Sequence, residues 1–342
     1  RIHPRITLNY GLRYNWFRYT GLELDNGLRN VNPRFGFSWD PIGDGRTSIR
    51  GGIGTYTTNV MANIAFPAEF YKDVFLRDIF NPGYPDPFKP NPFVPAGEAP
   101  VQLAKYQIKR APSPYTLQTT LGVQREVFTD FSVGFDLVWT KGYDMITWKN
   151  ENPVIVGTKT KRPDPTVGDV WNIENAGKSD FKGMYLTVNK RYSHGWSLDV
   201  AYTFGKQMGN TEGQDYPWSY DKDAWDRAWG RKNTDARHQL SITGIIDIPF
   251  GFQLSGLIFY RSEYPWNAIY YADLNLDSLV GEYVDQHRNS RADFDYLSID
   301  ARISKYVKIS KLSIQLFGEV YNITNRTNFY NVFNRSGLTG FG

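Results

Sequence analysis

Residues Trp196 to Phe204 alternate without a break. Trp196, Leu198, Val200, Tyr202 and Phe204 fall on one parity, and Ser197, Asp199, Ala201 and Thr203 on the other. Strand side chains have period two, so this spacing puts the bulky apolar groups on one face and the small and polar groups on the opposite one. The pattern recurs along the chain. Successive segments are joined first by a few turn residues and then by a long polar stretch. A chain patterned in this way folds into consecutive antiparallel hairpins, with the tight turns at one end and the long connections at the other.

Leu8, Tyr10, Leu12, Tyr14 and Trp16 mark a first strand, and a polar connection from Arg18 to Asn30 leads to Phe35, Phe37 and Trp39 in a second. Pro41-Ile42-Gly43-Asp44-Gly45 is a tight turn whose Asp-Gly pair tolerates positive φ. A third strand follows over about 46–57. Residues 58–113 carry Pro82, Pro85, Pro87, Pro90, Pro92 and Pro95, so this stretch is expected to be irregular, because proline removes ladder donors. Strands are expected over about 115–127 and from Phe131 through Trp139, then a long loop over about 143–182. Strands over about 183–192 and 196–205 pivot on Ser193-His194-Gly195, and a loop spans about 208–236. Strands over about 238–248 and 252–261 pivot on Pro249-Phe250-Gly251, a loop covers about 263–293, and strands over about 294–307 and 312–322 flank residues 308–311. The sum is about eleven strands.

No apolar run approaches the roughly 18 residues that a membrane helix needs, but a barrel strand hides its apolar residues at every second position. Bacterial outer-membrane barrels combine short periplasmic turns, long extracellular loops, an apolar outer face and a polar lumen. Aromatic residues make up 16% of the 342 residues, which suits the two aromatic girdles of such a barrel. The fold class read from these features is all-β, an antiparallel transmembrane β-barrel portion. The chain has no cysteine, so it has no disulfide and no thiolate metal site, and a formal charge of +4 without a concentrated basic face points to no nucleic-acid partner. Single-chain barrels close with an even number of strands, and unpaired edges cannot sit in lipid. Residues 1–342 are therefore expected to be a single partial barrel domain, with more barrel before Arg1 and after Gly342.

Particular segments carry a family resemblance. Leu8-Asn9-Tyr10-Gly11-Leu12-Arg13-Tyr14, Asn32-Pro33-Arg34-Phe35-Gly36-Phe37-Ser38-Trp39-Asp40-Pro41 and Arg50-Gly51-Gly52-Ile53-Gly54 resemble TonB-dependent outer-membrane receptors with an Oar-like barrel. Gly122-Val123-Gln124-Arg125-Glu126, Asp235-Ala236-Arg237-His238 and the run from Phe317 to Phe329 resemble the same family, in the same order. The resemblance implies a barrel of roughly 22 strands with an N-terminal plug, of which this chain is similar to the C-terminal portion. It implies location in the outer membrane of a Gram-negative (diderm) bacterium. The implied partners are outer-membrane lipid, a plug domain of the same parent chain, the energy-coupling protein TonB acting through that plug, and a bulky solute as cargo.

The lumen face is expected to hold Asn9, Arg13, Asn15, Arg34, Asp136, Asn189, Arg191, Asp199, Asp300, Arg302, Gln315 and Glu319, as plug or solute contacts or as charges paired across strands. Tyr216, Trp218, Tyr220, Trp225 and Trp229, interleaved with acids and bases in one loop, are candidate ligand contacts, since such rings offer rigid area with a polar tip. The alternative is that they pack on one another to fold the loop. Asp273, Asn275 and Asp277 have the start of a calcium-loop spacing. Ser278 replaces the turn glycine and Val284 the bidentate glutamate, so a solvated acidic tip is the simpler reading and calcium the alternative; no other cofactor is expected. His3, His194, His238 and His287 lie in different segments with no catalytic motif, and no enzyme activity is expected. The functional reading is receptor-mediated uptake of a bulky solute. The rivals are a passive channel or loop-binding, adhesin-like barrel and, behind these, a secreted carbohydrate-binding module, whose loops have no reason to be sorted by end.

Overall fold

The computed structural model describes residues 3–18, 27–59, 105–108, 112–212, 228–270, 272–278, 282–285, 287–329 and 335–336. Within them the strands are β1 (Ile6–Tyr14), β2 (Val31–Trp39), β3 (Thr47–Thr57), β4 (Lys105–Ile108), β5 (Tyr115–Phe128), β6 (Phe131–Asn150), β7 (Val170–Ser193) and β8 (Trp196–Gly209). They continue as β9 (Gly230–Arg231), β10 (His238–Ile248), β11 (Phe252–Arg261), β12 (Ile269–Tyr270), β13 (Tyr296–Ile309), β14 (Leu312–Val320) and β15 (Arg335–Ser336). One sheet runs β1-β2-β3-β5-β6-β7-β8-β10-β11-β13-β14, every neighbour antiparallel to the last. The eleven strands read from the alternation are these eleven.

Register sorts the side chains into two faces. Val133, Val188, Val200, Ile242, Ile258 and Ile299 are successive cross-strand partners and form one apolar row. The neighbouring row, Ser132, Asn189, Asp199, Thr243, Leu257 and Asp300, points the other way and is mostly polar. β-branched residues fill the apolar row because they pack well on a pleated surface. The tight turns take the backbone shapes that their residues allow. His194 (φ 55°) and Gly195 (φ 82°) both lie in the left-handed region, the type I′ geometry that matches strand twist.

Apolar burial is inverted relative to a soluble domain. Among the described residues the buried apolar side chains are Ile146, Val154, Ala228, Ala236 and Ala268, all at the long-connection end. The row of Val133 to Ile299 is half-buried, and other residues of the same face are exposed: Ile246 is 49%, Leu137 45% and Ile303 45% accessible, although each has a strand on both sides. An apolar face of this extent needs an apolar solvent or a partner.

Two expectations require correction. Residues 143–182 are not one long loop, because β6 and β7 run on as a paired hairpin to Asn150 and Trp171, leaving only 151–169 as connection. Register shifts between Gly142 and Met145 and between Met145 and Thr147 break the period-two pattern there, so the alternation fades although the pairing persists. The proline-bearing stretch 58–113 also contains a strand, since β4 pairs in parallel with Val170–Ile173 of β7.

Candidate functional site

The polar face is a surface of matched charges. Arg50 reaches over the strand between them to Asp136 (Nη2–Oδ2 2.9 Å) and donates to Gln124 Oε1 at 3.2 Å. Arg191 lies 3.4 Å from Glu126 and 3.3 Å from Asp130, beside the β5–β6 turn. Arg302 pairs with Glu319 at 3.0 Å, and the Tyr321 hydroxyl donates to the other oxygen of the same carboxylate at 3.0 Å. Asn189 donates to Asp199, and Asp300 accepts from Ser298 Oγ and from the Asn322 N–H. Arg34 stacks over the Tyr56 ring at 4.3 Å, and Arg13 donates to Asn15 at 2.8 Å. Asn9 and Gln315 share this face, opposite Gly36 and Tyr306. Asp199, Thr243, Asp300, Arg302, Glu319 and Tyr321 line a groove of about 360 Å³ on it.

At the short-turn end, Asp40 closes the β2–β3 turn by accepting N–H bonds from Gly43 (2.7 Å), Gly45 (2.9 Å) and Ile42 (3.2 Å). The Gly43 and Gly45 donors hold its carboxyl below the ordinary aspartate value.

The long-connection end has a polar core that the sequence reading did not single out. Arg288 has no accessible side-chain surface and donates to the carbonyls of Gly209 (2.8 Å) and Ala228 (3.3 Å) while pairing with Glu212. Asp235 is equally enclosed. It accepts from Arg231 Nε at 2.7 Å, Arg237 Nε at 2.9 Å and the Gln207 N–H at 2.6 Å. Burial pulls the Lys232 ammonium and the Arg288 guanidinium below their usual values, with the Glu212 carboxylate opposing both shifts. This cluster ties the connection after β11 to the one after β8. The only advance signal was Asp235-Ala236-Arg237-His238 at a loop–strand junction; Arg288 had none.

Of the loop aromatics, Tyr216, Trp218, Tyr220 and Trp225 lie outside the described residues, whereas Trp229 is 49% exposed between buried Ala228 and Gly230. The carboxylates of Asp273, Asp277 and Glu282 each place an oxygen within 4.8 Å of the others. Several of the acceptors are already engaged with backbone donors. Asp273 accepts the N–H groups of Asp277 (3.0 Å) and Ser278 (3.0 Å), Asn275 Oδ1 that of Asp277 (3.1 Å), and Glu282 that of Leu274 (2.9 Å).

A family model described as an outer membrane beta barrel domain matches residues 20–258. The chain belongs to that family. No curated protein matches it by sequence. Among solved structures it is similar to the outer membrane transporter YddB from Escherichia coli, with a TM-score of 0.63 and 12% identity over 94% of this chain and 40% of that one. The siderophore receptor PiuA from Acinetobacter baumannii aligns with a TM-score of 0.53 and 13% identity, over 95% of this chain and 37% of that one. A ferric enterobactin receptor (PfeA) mutant from Pseudomonas aeruginosa gives 0.53 and 13%, over 95% and 38%. The chain thus spans about two fifths of the length of each of these structures. Identities this low carry the fold.

Family and fold bear out the outer-membrane β-barrel reading and place the chain in the outer membrane of a Gram-negative bacterium. The apolar face is therefore the lipid face of this outer-membrane barrel and the polar face its lumen wall. The tight turns are periplasmic and the long connections extracellular.

Proposed function

We propose that this chain supplies barrel wall and extracellular recognition loops to an energy-coupled outer-membrane transporter for a bulky solute. The observation that carries the reading is the pairing on the polar face. Arg50 with Asp136, Arg191 with Glu126 and Asp130, and Arg302 with Glu319 make a wall of alternating, mutually neutralised sign. Ion-conducting pores select with rings of one sign. A wall of satisfied pairs suits a lumen occupied by a plug domain of the parent protein, which couples to TonB. The aromatic loop with Tyr216, Trp218, Tyr220, Trp225 and Trp229 is the proposed cargo contact.

Full-length protein in a planar lipid bilayer tests the reading. The expected result is no steady conductance, together with loss of cargo uptake from cells when TonB is depleted. A steady ohmic conductance, or uptake indifferent to TonB, would overturn it in favour of a passive channel. Trp229→Ala is expected to lower cargo binding while surface abundance stays at the wild-type level.

For the acidic tip we propose a loop-closing role and not calcium binding. The N–H bonds that Asp273 and Asn275 accept already engage oxygens a cation would need. Added calcium or EDTA should leave the melting temperature of the full-length protein unchanged, and a calcium-dependent rise would reverse the assignment.

A further inference from the structure

Lys141, Lys182 and Lys206 stand together on the lipid face. Lys182 is the cross-strand partner of both Trp139 and Lys206, and Lys141 lies two residues beyond Trp139 on the same parity. The Trp139 ring gathers two of them, with Lys141 Nζ 5.0 Å and Lys182 Nζ 5.9 Å from its centroid. The height of this cluster follows from the turns. Lys141, Lys182 and Lys206 are about ten residues from the tight turns that join β5 to β6 and β7 to β8. At roughly 3.3 Å per residue and a tilt of about 40°, that is about 25 Å, the height of the lipid-exposed apolar band. The three ammonium groups therefore sit where the wall emerges from hydrocarbon into the outer-leaflet head groups.

The charge there is unbalanced. None of the three lysines has an ion-pair partner among the described residues; Asp180, the single carboxylate directly opposite one of them, faces Lys141 across β6 and β7 but accepts from Trp139 Nε1 at 3.3 Å, which leaves three cations against one carboxylate. Like charges directly opposite each other on adjacent strands destabilise a sheet, and Lys182 faces Lys206 in this way. The same cross-strand row continues through Thr119, Ile53, Phe35 and Tyr10 without a charge. Lysines that merely snorkel need no neighbours. These are confined to three adjacent strands around one indole.

We propose that Lys141, Lys182, Lys206 and the Trp139 ring form a binding site for the phosphate of an anionic lipid of the outer leaflet. The ammonium groups neutralise the phosphate between β7 and β8, and the indole packs against the first carbons below the head group, where an amphipathic ring is favoured. The phosphate in turn relieves the repulsion between Lys182 and Lys206.

The experiment uses full-length protein in nanodiscs of phosphatidylcholine alone, with diphosphoryl lipid A, or with lipid A stripped of its phosphates. Lipid retained after detergent extraction is counted by native mass spectrometry. Wild-type protein should retain diphosphoryl lipid A roughly 10- to 100-fold more than the Lys141→Gln/Lys182→Gln/Lys206→Gln variant does, since each cation contributes to attraction at an anionic surface. It should show no comparable retention of the dephosphorylated lipid, an arm that needs no variant to fold. Millimolar inorganic phosphate should not displace the lipid. Equal retention of both lipids by wild-type protein, or equal retention by wild type and variant, would overturn the proposal.

Discussion

Arg50 and Asp136 meet over Gly122. The two lie 86 positions apart on β3 and β6, and the strand between them, β5, places Gly122 opposite both. A Cβ at Gly122 would lie 1.9 Å from Asp136 Oδ1 and 3.2 Å from the Phe135 carbonyl, so the missing side chain is what lets the pair close. Gly122→Val should separate the two charges. Arg50 is about half exposed, so the pair itself contributes under about 1 kcal/mol. Most of the loss should come from moving β6. Denaturant unfolding of full-length protein in lipid vesicles should show Gly122→Val less stable than Arg50→Ala. Equal stability of the two variants would mean that the glycine has no spacing role.

The two faces can be separated by one charge. Val200 sits between Val188 and Ile242 in the lipid-facing row, whereas Thr203 sits between Tyr185 and Gln239 on the lumen side. An arginine at mid-bilayer on the lipid face costs about 2–4 kcal/mol. Val200→Arg should therefore reduce the heat-modifiable, assembled fraction in outer membranes, and Thr203→Arg should leave it near wild type.

These faces were legible because their signal is local. Parity alone put Phe135, Leu137, Leu198, Val200, Tyr202, Ile242 and Ile246 on one side and Asp136, Asp199 and Thr203 on the other, and the cross-strand registers agree. The extension of β6 past Lys141 was not legible. Above the apolar band neither face has a reason to stay apolar, and the bulges near Gly142 and Met145 shift the phase. Arg288 was illegible for a different reason. Its partners Gly209, Glu212 and Ala228 come from another connection, and a lone arginine in a polar loop has no period.

Asp40 offers a pH test outside the membrane. Its folded carboxyl is held below the ordinary value of 3.8, chiefly by the Gly43 and Gly45 N–H groups. A depressed folded value means that the carboxylate stabilises the turn above the unfolded value, and that this is lost as pH falls through the folded one. Asp40→Asn keeps one acceptor oxygen and replaces the one that serves Gly45. The variant should exchange the Gly45 amide faster than wild type at pH 7. The two should converge as pH drops below about 4. A difference that persists at pH 2 would assign the effect to shape and not to charge.

Arg288 joins the extracellular connections, so removing it should loosen them without opening the barrel. Its guanidinium serves the Gly209 and Ala228 carbonyls and the Glu212 carboxylate from a fully enclosed position. Arg288→Met keeps much of the volume and leaves all three acceptors without that donor, and breaking a buried pair from one side costs about 3–5 kcal/mol. The barrel strands make none of these contacts except through Gly209, at the upper end of β8. Protease added to intact cells should therefore cut Arg288→Met between residues 228 and 295 while heat-modifiability stays at the wild-type level. Arg288→Met/Glu212→Leu should regain part of the resistance, because it removes a carboxylate that the single variant leaves without its guanidinium partner, held by the Asn233 N–H and Asn289 Nδ2. If the single variant resists protease as wild type does, the two connections are held by other contacts; if it fails to assemble, the cluster supports the barrel itself.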